Sequence, residues 1–219
     1  AHALNTRGSA FAEAGNFARA IEDFSAALRI NPSYHQALAN RALVHAQRRD
    51  AHRAIADYDR AIAIDGSYHR AFVGRGMVKL DAGRSDAALA DFTRAIELAS
   101  NNPAPHYQRA IIHQRMGRHI DAINDLDVVV NLRPEQAVPY VQRGRSRVAI
   151  GDNPGALADF TLATELDSKN PTAWTLRAMA AEGQGKTKEA ARAYRRALRL
   201  SPSSGAARDG VERLTTRST

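Results

Sequence analysis

The stretch AAEGQGKT, residues 180–187, carries the residue types in this sequence that most suggest chemistry. Its last three residues, Gly185, Lys186 and Thr187, resemble the end of a phosphate-binding loop, where a lysine contacts phosphates and a hydroxyl binds magnesium. Ala180 stands where the first glycine of such a loop belongs. The loop also needs a preceding β-strand and an acidic magnesium partner on another strand. The elements around it therefore decide whether this stretch binds a nucleotide.

The chain is built from an internal repeat with a period of 34 residues. One amphipathic segment returns six times in the same register, without insertion or deletion. Its copies begin at Ala20, Ala54, Ala88, Ala122, Ala156 and Ala190. A period of this length is typical of a solenoid, in which each unit buries its apolar face against its neighbours.

Each repeat contains two helical patterns separated by a turn. In the second repeat, Ile55, Tyr58 and Ile62 lie on one helical face. A glycine favours the left-handed backbone that ends a helix. The second repeat has Arg49 at this position. The other five repeats have a glycine there: Gly15, Gly83, Gly117, Gly151 and Gly185. Residues 173–184, before the last of these glycines, are predicted to be helical, which argues against nucleotide binding.

The spacing of small and aromatic residues resembles the tetratricopeptide repeat (TPR) family over nearly the whole chain. The small residue of the first helix is Gly8, Ala42, Gly76, Ala110, Gly144 and Ala178. The large residue of the second helix is Phe24, Tyr58, Phe92, Leu126, Phe160 and Tyr194. Closely crossing helices need small residues at the contact and a large neighbour beside them. The resemblance implies an all-α fold, a right-handed α-solenoid (superhelix) of six helix–turn–helix units with a C-terminal capping helix.

The repeat register divides the chain into seven predicted segments. The six TPR units are expected at residues 1–34, 35–68, 69–102, 103–136, 137–170 and 171–204, and a capping helix and tail at residues 205–219. Val211 and Leu214 lie three residues apart in the last segment, as on a short helix. A terminal repeat needs such a cover because its outer apolar face is otherwise exposed.

In five of the six repeats, an arginine of the first helix is followed, sixteen residues later, by an aspartate of the second helix. We expect these residues to form internal salt bridges. The predicted structural ion pairs are Arg7–Asp23, Arg41–Asp57, Arg75–Asp91, Arg109–Asp125 and Arg143–Asp159. The sixth repeat has Ala193 instead of the acid, so Arg177 is expected to reach Asp159 of the preceding repeat. The alternative, an arginine ladder that binds phosphates, is disfavoured by the acidic partners.

The TPR resemblance implies that the first helices line a concave groove. Its middle is apolar and arginines stand at its rim, which suits a peptide or helix with acidic flanks. The predicted peptide-binding groove comprises Asn40, Leu43, Arg70, Val73, Met77, Leu80, Tyr107, Ile111, Arg115, Val141, Arg145 and Val148. The alternative is that part of this strip is core between adjacent first helices.

One branch of the family grips the C-terminal carboxylate of chaperones with lysines, asparagines and an arginine. Asn40 matches an asparagine of that clamp, and Arg70 stands at a lysine position. Asn5 and Ser9 replace a lysine and an asparagine, and Gly74 replaces the arginine. The clamp is too incomplete to be carried over to this chain.

The second helix of the sixth repeat forms the most basic segment. Helical spacing places four arginines on one basic face: Arg192, Arg195, Arg196 and Arg199. The plainest interpretation is a solvated outer surface. The alternatives are contact with nucleic acid, an anionic membrane or an acidic partner. Few aromatic residues lie among these charges, which disfavours single-stranded nucleic acid.

Composition and motifs favour a binding protein over an enzyme. The chain of 219 residues has a formal net charge of +8 and no cysteine, so disulfides and thiolate sites are excluded. The eight histidines show no metal-ligand spacing, and no catalytic triad is recognisable. We therefore expect no enzyme activity, cofactor or metal.

The predicted function is a non-catalytic scaffold that binds a peptide or helical segment of another protein. Two alternatives stay open, a self-assembling homo-oligomeric scaffold and an accessory domain of a larger enzyme or of a secretion or assembly component. The sequence begins within the first repeat, which suggests a piece of a longer protein. Its arginine-rich, regular repeats suggest a bacterial source. Its composition suggests a folded soluble protein, and the lack of cysteine leaves both the periplasm and the cytoplasm open.

Overall fold

The computed structural model describes residues 1–216 as helices joined by short turns, with no β-strand in that range. The all-α prediction is therefore confirmed. The predicted tail residues 217–219 lie outside the described residues. The helices are α1 (His2–Glu13), α2 (Phe17–Ile30), α3 (His35–Gln47), α4 (Ala51–Ile64), α5 (His69–Asp81), α6 (Ser85–Leu98), α7 (Pro103–Arg115), α8 (His119–Leu132), α9 (Ala137–Ala149), α10 (Asn153–Leu166), α11 (Pro171–Gly183), α12 (Thr187–Leu200) and α13 (Gly205–Thr216).

The chain divides into two compact units, residues 1–105 and residues from 106 onward, with the boundary near the start of α7. In the first unit, α1 packs on α2, α3 on α4 and α5 on α6, while α2 contacts α3 and α4 contacts α5. In the second unit, α9 packs on α10 and α11 on α12, and α13 packs on α12. Each unit is thus a stack of helix hairpins.

The turn inside each hairpin contains one residue with left-handed backbone. Five of these residues are glycines with φ between 71° and 81°, and the sixth, Arg49, has a φ of 63°. Glycine adopts this conformation without steric cost. Gly185 is one of the five and follows the end of α11, while Lys186 precedes the first turn of α12. The stretch at residues 180–187 is therefore a helix end and a turn.

The glycines of the first helices make room for phenylalanine rings. A Cβ atom added at Gly8 or Gly76 would lie 2.8 Å from Cε1 of the facing ring, and one added at Gly144 would lie 2.6 Å from it. These rings are almost fully buried and belong to Phe24, Phe92 and Phe160. Because the helices cross so closely, the glycines are needed for packing.

Arginine–aspartate pairs join the two helices of a hairpin. The shortest nitrogen–oxygen distances are 2.6–2.7 Å, and the aspartates are 1–6% exposed. The five pairs are Arg7–Asp23, Arg41–Asp57, Arg75–Asp91, Arg109–Asp125 and Arg143–Asp159. Arg75 and Arg143 also contact Asp59 and Asp127 of the preceding hairpin. These arginines therefore connect adjacent repeats as well as paired helices.

Arg177 does not reach Asp159 as the sequence predicts. The Asp159 carboxylate is occupied by Arg143 Nη2 at 2.6 Å and by Arg147 Nη1 at 2.9 Å. Arg177 instead places Nη2 3.0 Å from Glu189 Oε1 and donates from Nη1 to Thr164 Oγ1. The prediction was wrong because two closer cations already bind the acid.

We expect the folded protein to lose stability in mild acid because of His45 and His113. Burial lowers the pKa of both imidazoles, so the folded chain binds their protons less readily than the unfolded chain, where the histidine pKa is about 6.5. Stability is therefore complete above about pH 6.5 and decreases as the pH falls through the lower folded-state pKa. Thermal unfolding between pH 7.5 and 5.5 should show a falling Tm.

The variant His45→Gln with His113→Gln should show a smaller fall in Tm over this interval. The exposed His52→Gln is the control and should keep the wild-type slope. Equal slopes in all three proteins would show that other groups cause the pH dependence.

Candidate functional site

A recess of about 640 Å³ lies in the first unit, between α3 and α5. We call it the α3–α5 recess. Leu43 is 51% exposed and Met77 is 36% exposed, so the recess presents large apolar side chains to solvent. Five predicted groove residues line it: Asn40, Leu43, Arg70, Val73 and Met77. Leu80 is the predicted groove residue of this unit that does not line it.

Helical spacing explains why these residues meet. On α3, Leu43 and Gln47 lie four residues apart, and on α5, Val73 and Met77 do the same, so each pair shares one helix face. The two helices contact each other. Leu43 and Met77 also occupy the same position of consecutive repeats. The repeat therefore places equivalent side chains next to one another.

Tyr58 of α4 reaches the α3–α5 recess from the core. Its side chain is 3% exposed, yet it lines the recess. Gly74 makes this possible, because a Cβ atom there would collide with the phenol oxygen. Burial raises the pKa of Tyr58, so the hydroxyl stays protonated at neutral pH.

Tyr68 and Arg70 form a polar border of the same recess. Burial raises the pKa of Tyr68, and the neighbouring Arg70 guanidinium opposes that shift. The ring of His35 packs edge-on against Tyr68 with 4.8 Å between centroids, which fixes the phenol. The border therefore offers a cation and a hydroxyl beside the apolar wall.

The residues compared with the carboxylate clamp contact one another. Asn40 donates from Nδ2 to Asn5 Oδ1 at 3.0 Å, and its Nδ2 lies 3.5 Å from Ser9 Oγ. The Asn40 amide nitrogen is thus engaged inside the protein. Gly74, where the clamp has an arginine, accommodates Tyr58 instead. The recess therefore differs in chemistry from that clamp.

The predicted groove residues of the second unit have mixed environments. Val141 is 8% exposed and packs in a core cluster with Val130 and Tyr140. For Val141 the structure favours the core alternative, because neighbouring helices cover it. Tyr107 and Ile111 are half-buried, and the remaining three are exposed: Arg115, Arg145 and Val148.

The arginines of the predicted basic face of α12 line two recesses in the structure. Arg192, Arg196 and Arg199 line a recess of about 460 Å³. We call this the arginine recess. Arg195 lines a different recess, together with Val211 of α13. The four arginines therefore border two different recesses, and their action as one basic face stays a prediction.

Residues 1–216 hold no group of three or more histidine, cysteine, aspartate or glutamate side chains able to bind a metal ion together. None of the helices in that range has the length and hydrophobicity needed to span a bilayer.

Family models agree with the repeat pattern. A tetratricopeptide repeat model matches residues 5–69 and 141–205, and a second model of that repeat matches residues 69–102. The chain belongs to the tetratricopeptide repeat family. The TPR prediction from the sequence is therefore confirmed. No curated protein matches this TPR chain significantly.

Solved TPR structures share the fold of this chain. YrrB, described as a TPR protein with an unusual peptide-binding site, is 21% identical with a TM-score of 0.78, over 86% of this chain and 97% of YrrB. Pseudomonas aeruginosa PilF is 18% identical with a TM-score of 0.79, over 99% of this chain and 96% of PilF. MamA is 20% identical with a TM-score of 0.67, over 77% and 92%. At these identities the likeness shows the fold, an α-solenoid of TPR hairpins.

Proposed function

We propose that this TPR chain is a non-catalytic protein-interaction scaffold whose α3–α5 recess binds a peptide or helix of a partner protein. The observation that carries the proposal is the exposed pair Leu43 and Met77, beside Val73. Exposed apolar surface with a polar border is typical of an interaction site. Methionine adapts its shape to different apolar ligands.

The polar groups of the recess indicate the chemistry of the bound segment. Arg70 offers a cation at the border, and Tyr58, which also lines the recess, carries a hydroxyl donor. A hydrogen-bond acceptor on the ligand, either a carboxylate or a main-chain carbonyl, would satisfy both. The favoured ligand is therefore amphipathic, with apolar side chains against Leu43 and Met77 and an acceptor near Tyr58.

Two comparisons support a peptide-binding role. Proteins of the TPR family bind other proteins, and YrrB carries a peptide-binding site by its description. The volume of about 640 Å³ also lies in the range of roughly 300–1,000 Å³ found for ligand sites. The recess is large enough for several side chains of a bound segment.

The variant Leu43→Glu with Met77→Glu should abolish partner capture. Two carboxylates on the apolar wall would have to be desolvated on binding, so we expect affinity to fall by roughly tenfold or more. The test compares affinity capture from native extract by wild type and variant, with protein recovery measured by mass spectrometry. Circular dichroism should show unchanged helix content.

A matched control is Ile30→Glu with Ile64→Glu. These side chains are 65% and 41% exposed, occupy equivalent positions of two repeats and lie outside the α3–α5 recess. The control should retain the captured proteins. The proposal fails if the recess variant retains them too. Recovery of the chain itself as the main species, with a dimer by light scattering, would favour the self-assembling alternative.

A further inference from the structure

The sixth hairpin lacks the acid that the other five hairpins place between their helices. Ala193 occupies that position on α12 and is 2% exposed. Arg177 on α11 therefore has no aspartate opposite it. Its Nε and Nη2 atoms both point to a single oxygen of Glu189, at 3.3 and 3.0 Å. In the first hairpin, Arg7 uses the same two atoms to grip both oxygens of its aspartate.

The space beside Ala193 is the arginine recess, and it is strongly cationic. Glu189 is the one acidic residue among its lining side chains in the described chain, and its side chain is 36% exposed. Four guanidinium groups line the same recess: Arg177, Arg192, Arg196 and Arg199. Arginine recognises carboxylates through two parallel hydrogen bonds. The recess thus has an excess of donors for one further carboxylate.

We propose that the arginine recess binds a carboxylate side chain from an acidic segment of another protein. This carboxylate takes the place that the aspartate of the other hairpins fills. Arg177 binds this carboxylate through Nε and Nη2, the two atoms that it now directs at one oxygen of Glu189. Arg192 and Arg196 contact the carboxylate from α12. The proposal is independent of the α3–α5 recess, because it uses no residue of the first unit.

The geometry favours an acidic peptide over nucleic acid or membrane. Stacking of bases needs a free aromatic face, and Trp174, the aromatic residue among the described lining of this recess, has the Arg177 guanidinium 5.3 Å above one of its faces. The recess is a concavity of about 460 Å³, which fits one or two side chains. A bilayer surface cannot enter such a concavity.

Trp174 provides the readout because it is the only tryptophan in the chain. It lines the recess beside Arg177, so a carboxylate that moves this guanidinium changes the indole fluorescence. The probe is a hexaglutamate peptide with acetylated and amidated ends, titrated at low salt. Hexaglutamine is the neutral control. We expect saturable binding of hexaglutamate and none of hexaglutamine.

Two adjacent arginines of α12 give a matched pair of variants. Arg196→Gln removes a cation of the arginine recess and should weaken hexaglutamate binding roughly tenfold. Arg195→Gln removes the same charge from the same helix, but Arg195 lines the other recess, so affinity should stay within about twofold. Equal loss in both variants would overturn the proposal, because it would show attraction to diffuse positive charge.

Ala193→Asp should close the site from within. The new carboxylate sits opposite Arg177, as in the other hairpins, so we expect hexaglutamate binding to be lost and the Tm to rise. Undiminished binding by a folded Ala193→Asp protein would overturn the proposal. If this variant fails to fold, the Arg196→Gln and Arg195→Gln pair decides alone. Saturation by oligo-dT or phosphatidylserine vesicles, with no response to hexaglutamate, would also overturn it.

Discussion

Asp91→Ala is expected to lower the free energy of unfolding by about 3–5 kcal/mol, because removing one partner of a buried ion pair leaves charge uncompensated. Asp91 is 3% exposed and binds Arg75 Nη2 at 2.6 Å and Lys79 Nζ at 2.8 Å. Both cations are largely buried, with side chains 17% and 14% exposed. Chemical unfolding followed by circular dichroism at increasing urea measures the loss.

Asp59→Ala is the matched control for this prediction. Asp59 lies 2.6 Å from the same Arg75, but its side chain is 53% exposed. Solvent screens such a pair, so the expected loss is at most about 1 kcal/mol. Similar losses from the two substitutions would show that burial does not set the strength of these pairs.

The repeat register made the architecture predictable from sequence. A period of 34 residues fixes which helix follows which, and the sixteen-residue spacing of Arg75 and Asp91 brings them to facing positions of one hairpin. Even Arg49 follows this logic, since it takes the left-handed backbone that glycine adopts in the other repeats. These features depend on local spacing, which the sequence contains.

Competition between partners was not predictable in the same way. The sixteen-residue spacing pairs Asp159 with Arg143, but nothing in the sequence ranks Arg147 against Arg177 as its second partner. In the structure, Arg143 and Arg147 bind it. Arg177 turns to Glu189, which no repeat rule had singled out. Which of several arginines binds a given carboxylate depends on distances that are set only when the helices pack.

The helix face that carries the candidate site was predictable from the sequence, but the burial of its individual side chains was not. Helical spacing and the TPR resemblance identify the face that carries Leu43 and Met77, and the structure exposes both. The same reasoning placed Val141 in the groove, although neighbouring helices bury it. Tyr58 was interpreted as a core aromatic. Its hydroxyl belongs to the recess only because Gly74 has no side chain, and a glycine within a helix away from any turn was the available signal.

The choice of glycine or alanine as the small residue of each first helix correlates with the type of the large residue that packs on it. Glycine faces phenylalanine in three hairpins, where any Cβ would press on the ring. Alanine shares a core cluster with tyrosine or leucine in the other three: Ala42 with Tyr58, Ala110 with Leu126, and Ala178 with Tyr194. The pattern predicts that the two positions are energetically coupled.

Gly144→Ala is therefore expected to destabilise the chain by about 1–3 kcal/mol through overpacking, although alanine is the better helix former by about 1 kcal/mol. The added Cβ would lie 2.6 Å from Cε1 and 2.9 Å from Cζ of Phe160, whose ring is 1% exposed and cannot swing away. Gly183→Ala on α11 is the control, since nothing lies within 4 Å of its Cβ position. It should be neutral or stabilising in the same urea unfolding measurement.

Phe160→Leu should rescue Gly144→Ala, because the double variant reproduces the combination of Ala110 with Leu126. In the wild-type background, where Gly144 faces the ring, the leucine alone leaves a void and costs stability. In the Gly144→Ala background, it removes the clash, so the two substitutions should be non-additive by about 1 kcal/mol or more in a double-mutant cycle. Additive losses would mean that the helices move apart to admit the methyl group. The Phe160 ring would then not determine whether glycine or alanine is preferred at position 144.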